Sequence, residues 1–183
     1  MEKVVYESQS KDWDAITIFK VNVLVGRVNA DIDNLAKLVL KNSSKTFSND
    51  PTHTKFEDSF CPESPILDEI VEEVKDIFFK ETKIRLSLGT YWGHIHEKNM
   101  STHIHNHSKA DFSAVVYLSS PPKSGQITFW PQGDSDLSYR YTIPPEKVKF
   151  IIFPGWLRHS VTRTQSNKPR VSLSLNFKAE KES

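Results

Sequence analysis

The chain has a single cysteine, Cys61, among its 183 residues, so no internal disulfide can form and a reducing compartment is expected. It has no surplus of either charge: 24 Lys and Arg stand against 23 Asp and Glu, a net charge of +1. That balance supplies no basic field for nucleic acid and no acidic tail. No apolar run approaches the ~18 residues of a membrane span. The first residues, MEKVVYESQSKDWD, lack the basic-then-apolar order of a secretion signal. Internal repeats, low-complexity segments and an interdomain linker are also missing. With 37% hydrophobic and 11% aromatic residues the composition is too apolar for a disordered chain. The expectation is one soluble, cytoplasmic globular domain over 1–183, with neither membrane nor nucleic acid as partner.

Histidine is what the chain concentrates. Five of its seven histidines, His94, His96, His103, His105 and His107, fall within fourteen consecutive residues. The surrounding organisation changes character near residue 82. Before it, 15–25 (AITIFKVNVLV) reads as a strand ending at Gly26. Ile32, Leu35, Ala36, Val39 and Leu40 form the stripe of a short helix, with Asn29 or Asp31 able to cap it. Residues 42–63 read as a long loop containing His53 and Cys61, to which no role is assigned. A second helix is marked by Ser64 as N-cap and Pro65 at its first position. Leu67, Ile70, Val71, Val74, Ile77 and Phe78 lie on one of its faces.

After residue 82 the period becomes strand-like. IRLSLGTYW, DFSAVVYLSS, GQITFW, YRYTI, KVKFIIF, HSVTRT and RVSLSLNF are β-rich runs separated by Pro-, Gly- and Asn-containing turns. Seven such strands suggest an antiparallel sandwich or barrel, with two helices packed against it.

In THIHNH, His103, His105 and His107 are two residues apart, which on an extended chain puts all three on one side. Two imidazoles at i and i+2 can reach one metal, and His159 is the candidate third ligand from a distant strand. Three ligands on one side of a metal leave positions open for a cosubstrate and O2. The competing reading of His-x-His is a polar strand face that binds nothing. In RVSLSLNF, Val171, Leu173, Leu175 and Phe177 alternate with Arg170, Ser172, Ser174 and Asn176, so one face is apolar and the other polar. An Arg at the mouth of a polar cavity offers a bidentate fork to a carboxylate. Its spacing from His159 places the two on neighbouring strands.

THIHNHSKADFSAVVYL, SGQITFWP and the run from KVKFIIFPGWLRHSV to RVSLSLNF resemble the double-stranded β-helix core of Fe(II)/2-oxoglutarate-dependent dioxygenases. The resemblance is to the bacterial and bacteriophage oxygenases related to prolyl hydroxylases. It covers residues 84–178, which makes 83–178 a jelly-roll catalytic core and 1–82 its support. It implies an HxD/E…H iron site, a basic anchor for 2-oxoglutarate on the last strand, and decarboxylation of 2-oxoglutarate to succinate and CO2. Carried over, His159 is the distal Fe(II) ligand and Arg170 the anchor. Ser172 completes an Arg-x-Ser pattern, and Tyr117 resembles the tyrosine that hydrogen-bonds the same carboxylate. SGQITFWP resembles the GG-x-x-x-F turn, with Ser124 in place of the first glycine. The implied reaction is hydroxylation of a small-molecule or peptidyl substrate, with O2 as oxidant.

One departure stands out, since the proximal pair is His-x-His where the family has His-x-Asp. Spacing to SAVVYL favours His105 with His107, and His103 with His105 is the alternative. Replacing a carboxylate by a neutral imidazole makes the site less negative by one charge, which favours softer divalent metals such as zinc. Asp111 could supply a carboxylate if its loop folds back. His94 and His96 are expected to face solvent, with lining of the substrate entrance as the alternative, Trp130 and Trp156 to border the site or pack, and Asn176 to orient a ligand. The reading from a different class is a cupin-like metal- or small-ligand-binding sandwich, which has no need of Arg170 with Ser172.

Overall fold

Helix α2 (Pro65–Thr82) forms where its local signals put it. Ser64 is extended and its Oγ accepts from the Leu67 N–H at 3.2 Å, and Pro65 occupies a position whose N–H would go unused. At the other end Lys83 adopts the left-handed conformation and its N–H closes on the Phe79 carbonyl. The shorter α1 (Ile32–Asn42) is capped by Asp31, whose Oδ1 accepts from the Asp33 N–H. Ile32, Leu35, Ala36 and Val39 are buried as the stripe requires, whereas Leu40 is 42% exposed.

The computed structural model describes residues 21–42, 61, 63–130 and 140–180. Within them lie nine strands: β1 (Leu24–Arg27), β2 (Leu86–His96), β3 (Thr102–His105), β4 (Phe112–Ser119), β5 (Ile127–Phe129), β6 (Tyr141–Ile143), β7 (Lys149–Pro154), β8 (His159–Val161) and β9 (Arg170–Ala179). They form two antiparallel sheets, ordered β1-β7-β4-β9-β2 and β3-β8-β5-β6. This is the double-stranded β-helix arrangement, mostly β with two helices. No described helix is long and apolar enough to cross a membrane.

Period-two alternation divides the five-stranded sheet between two environments. Ala114, Val116 and Leu118 of β4, Phe150 and Ile152 of β7, and Val171, Leu173, Leu175 and Phe177 of β9 share one core with both helices. The intervening Tyr117, Ile151 and Phe153 join Ile127, Phe129 and Leu157 in a second core between the sheets. Helices therefore cover one face, and the other looks into the sandwich.

The N-terminal strand differs from the sequence reading. Residues 15–20 and His53 lie outside the described residues; Val21–Val23 are not in a strand, and β1 runs through Gly26 to Arg27. Gly26 does not end β1. Facing Phe150 across the β1–β7 pairing, it leaves room for that ring, and a Cβ there would meet Phe150 Cε1 at 2.5 Å. β2 also runs four residues beyond Trp92, because β9 offers a partner along its whole length, from Leu86 opposite Ala179 to His96 opposite Arg170. Cys61 is buried, which pushes its thiol up to about 11.

Candidate functional site

β3 and β8 bring the first imidazoles together, since His105 and His159 are directly opposed, with ring centroids 4.2 Å apart. His107 follows just beyond the end of β3. One nitrogen from each of His105, His107 and His159 lies within 4.8 Å of the others. His103 is exposed and outside this group. The expected common face for all three THIHNH histidines is thus not kept, because the β3–β8 register shifts between Thr102 and His105.

The backbone prepares two of these rings. The His103 carbonyl accepts from His105 Nδ1 at 2.8 Å, and the Leu157 carbonyl accepts from His159 Nδ1 at 2.9 Å. A carbonyl can only accept, so both protons sit on Nδ1 and each Nε2 keeps a lone pair for a cation. His107 is fixed through its main chain: its N–H donates to the Gly155 carbonyl at 2.7 Å, and its own carbonyl accepts from Ala110 at 2.8 Å. Gly155 must be glycine, since a Cβ would lie 2.2 Å from the Ala110 oxygen. Burial holds all three imidazoles below their usual pKa, to about 3 for His159 and about 4 for His107, where neighbouring rings add to the effect. Three neutral, converging nitrogens suit a divalent metal, and such a donor set fits iron or a softer ion.

Asp111 does not join them. Its Oδ2 accepts from the Ala179 N–H at 3.0 Å and its Oδ1 lies 3.4 Å from Lys178 Nζ, bonds that draw its pKa down. The carboxylate is committed to tying β9 to the 107–111 loop.

Arg170 is 2% exposed and stands across the interior from the histidines. The two do not occupy neighbouring strands as expected: β8 belongs to the four-stranded sheet and β9 to the five-stranded one, because residues 162–169 cross between them. Arg170 Nη1 donates to the Gly125 carbonyl at 2.9 Å and Nη2 to His96 Nδ1 at 3.0 Å. Among the described residues its Nε meets no acceptor and no acidic side chain pairs with it. Tyr117 is fully buried, its ring centroid 5.6 Å from the Arg170 Cζ, and its hydroxyl also meets no partner among the described residues. Burial pushes that phenol up to about 12, so it remains a neutral O–H donor. Ser172, 1% exposed, lines the pocket that Arg170 shares with His105, His107 and His159. Gly125 is again required, since a Cβ would lie 2.1 Å from the Thr162 oxygen, and Ser124 beside it bonds the Pro121 carbonyl.

His94 and His96 are not at the surface. They are 5% and 1% exposed, on the inner face of β2 opposite Ser172 and Arg170, with stacked rings 5.6 Å apart. The period-two run Trp92, His94, His96 carries the signal, which the β-rich run IRLSLGTYW hides by ending at Trp92. Thr102, which bonds His96 Nε2 at 2.8 Å, was likewise missed. Asn176 accepts from Ser113 Oγ at 2.7 Å and lines the pocket. Trp130 bonds Ser160 Oγ, whereas Trp156 is 42% exposed and lines a separate groove. Outside the pocket lies a cleft of ≈ 400 Å³ that shares His107 and Asn176 with it and is otherwise lined by Thr90, Ser108, Lys109 and their neighbours.

Residues 90–176 match the family described as "Putative 2OG-Fe(II) oxygenase". Among solved structures the chain is similar to a Burkholderia pseudomallei oxidoreductase of the 2OG-Fe(II) oxygenase family, with 18% identity and a TM-score of 0.52 over 64% of this chain and 60% of that one. It is also similar to a Pseudomonas putida prolyl-4-hydroxylase, with 14% identity and a TM-score of 0.60 over 87% and 88%. AviO1 from Streptomyces viridochromogenes Tue57 matches with 13% identity and a TM-score of 0.61 over 87% and 90%. At such identities these likenesses show the fold. The chain spans less than two thirds of the Burkholderia protein. No curated protein matches it in sequence.

Proposed function

We propose that this chain, whose residues 90–176 match the 2OG-Fe(II) oxygenase family model, is a 2OG-Fe(II) oxygenase and a hydroxylase. In this reading His105, His107 and His159 hold the metal, and Arg170, Ser172 and Tyr117 hold the distal carboxylate of 2-oxoglutarate. Bound iron supplies the oxidising chemistry: one O2 is consumed, 2-oxoglutarate becomes succinate and CO2, and a substrate C–H becomes C–OH.

The observation that carries the reading is the buried guanidinium. A cation removed from water with no acidic neighbour is costly, and the cost is recovered when an anion arrives. Among the described residues neither Arg170 Nε nor the hydroxyl of the neighbouring Tyr117 meets a partner, and buried donors of this kind suit a carboxylate. A peptidyl side chain, prolyl among them, is the proposed substrate, entering by the cleft that shares His107 and Asn176 with the pocket. The test is succinate release from 2-oxoglutarate by iron-reconstituted protein, with and without candidate peptides. Turnover stimulated by a peptide that itself gains one oxygen is expected. No succinate under any condition would overturn the proposal.

The all-histidine donor set favours a second reading, a cupin-like site that binds a metal or small ligand without 2-oxoglutarate. Metal binding that is tight while 2-oxoglutarate has no measurable affinity would select it.

A further inference from the structure

We propose that His96 is a positioning residue for Arg170: a neutral acceptor that aims the guanidinium into the pocket without cancelling its charge. The inference rests on the reading of Arg170 as the 2-oxoglutarate anchor.

The hydrogen-bond chemistry leaves one arrangement for the imidazole. Arginine only donates, so the bond from Arg170 Nη2 to His96 Nδ1 at 3.0 Å requires a lone pair on Nδ1. The neutral ring then carries its proton on Nε2, which donates to Thr102 Oγ1 at 2.8 Å. Both ring nitrogens are thus committed, and the stacked His94 ring covers one face. Complete burial and the adjacent guanidinium keep the ring unprotonated. Because His96 and Arg170 are cross-strand partners on β2 and β9, the bond joins two rigid elements.

The second acceptor, the Gly125 carbonyl, is also uncharged. Two neutral acceptors therefore fix the guanidinium plane, while Nε meets no acceptor among the described residues. A carboxylate at position 96 would fix the plane equally well but would neutralise the cation, in competition with an incoming anion. An apolar residue would leave the guanidinium free to turn.

Those alternatives make the test. 2-Oxoglutarate is titrated calorimetrically into the full chain loaded anaerobically with Mn(II), and Mn(II) affinity and thermal midpoint are measured alongside. His96→Asn, whose amide oxygen can stand near the Nδ1 position, should bind 2-oxoglutarate within about threefold of wild type. His96→Leu and His96→Asp should each bind it about 10- to 100-fold more weakly, with Mn(II) affinity unchanged. Were the residue there only to fill space, His96→Leu would be the mildest of the three. Wild-type affinity in His96→Leu, or a loss in His96→Asn equal to that in His96→Leu, overturns the inference. Should His96→Leu fail to fold, His96→Asn against His96→Asp decides, equal affinities being the overturning result. Arg170→Ala separates the two levels: unchanged affinity there removes the anchor reading itself, whereas a loss there with no effect of His96→Leu removes only the role of His96.

Discussion

At Arg170 the chain puts a cation where water cannot reach it and places no acid beside it among the described residues. Each charge-assisted hydrogen bond is worth about 1.5–3 kcal/mol, so removing the fork should weaken 2-oxoglutarate on the order of a hundredfold. Arg170→Ala is expected to show that loss in calorimetric titration of the Mn(II)-loaded protein. Arg170→Lys should fall between, since a point charge cannot reproduce a planar fork. Neither should change Mn(II) affinity, because the guanidinium contacts none of the three clustered histidines in the structure. His159 makes the complementary case. It is the ring whose removal leaves two ligands from one segment with nothing opposite. His159→Ala should abolish stoichiometric Mn(II) binding with the fold intact, and His103→Ala, which alters an exposed ring, should leave it unchanged. Metal loss in His103→Ala with retention in His107→Ala would move the pair by two residues.

Two elements separate site geometry from stability. The 107–111 loop is held against the β7–β8 turn by the bonds of Gly155 to His107 and Asp111, at 2.7 and 2.9 Å. A methyl at Gly155 would meet the Ala110 carbonyl at 2.2 Å, and rigid backbone lies on both sides, so the loop must move. Gly155→Ala is therefore expected to lower Mn(II) affinity at least tenfold, on the order of 1.4 kcal/mol, while the far-ultraviolet circular dichroism stays native. Ser64→Ala acts at the other extreme. It removes the N-cap of α2, on the far side of the five-stranded sheet from the pocket. It should cost about 1 kcal/mol, lowering Tm by roughly 2–4 °C for a chain of this size, with metal and 2-oxoglutarate affinities unchanged. A metal defect in Ser64→Ala would show that the helical layer reaches the site.

Across the whole molecule the buried histidines couple stability to pH. Burial holds His94 and His159 near 3 and His96 well below its ordinary value of 6.5. Above pH 6.5 neither the folded nor the unfolded chain protonates them, and stability is level. Below it the unfolded chain takes up protons that the folded one refuses, so stability falls with falling pH. Each histidine contributes about 1.4 kcal/mol per pH unit; at pH 5.5 the three together remove on the order of 4 kcal/mol, a large part of a typical 5–15 kcal/mol. Thermal unfolding of the metal-free protein at pH 7.5 and 5.5 checks this. A lower midpoint at the acidic end is expected, and equal midpoints would show that these rings are already solvated.

Local order in this protein was legible from residue pattern alone. The limits of α2 follow from Ser64, Pro65 and the apolar spacing, and the two faces of β9 follow from strict alternation, because these rest on contacts within a few residues. His105, His107, His159 and Arg170 could be singled out for the same reason: each sits in a short pattern that states its own chemistry. What only the tertiary structure decided is which long-range partner each pattern met. β2 reaches His96 because β9 is long enough to pair with it, and that pairing turned two supposed surface histidines into buried ones. A register shift between Thr102 and His105 took His103 out of the cluster, and a sheet-to-sheet crossing set Arg170 opposite His159 instead of beside it. Register and crossing depend on hydrogen bonds between segments tens of residues apart, and a period of two within one strand carries no record of them.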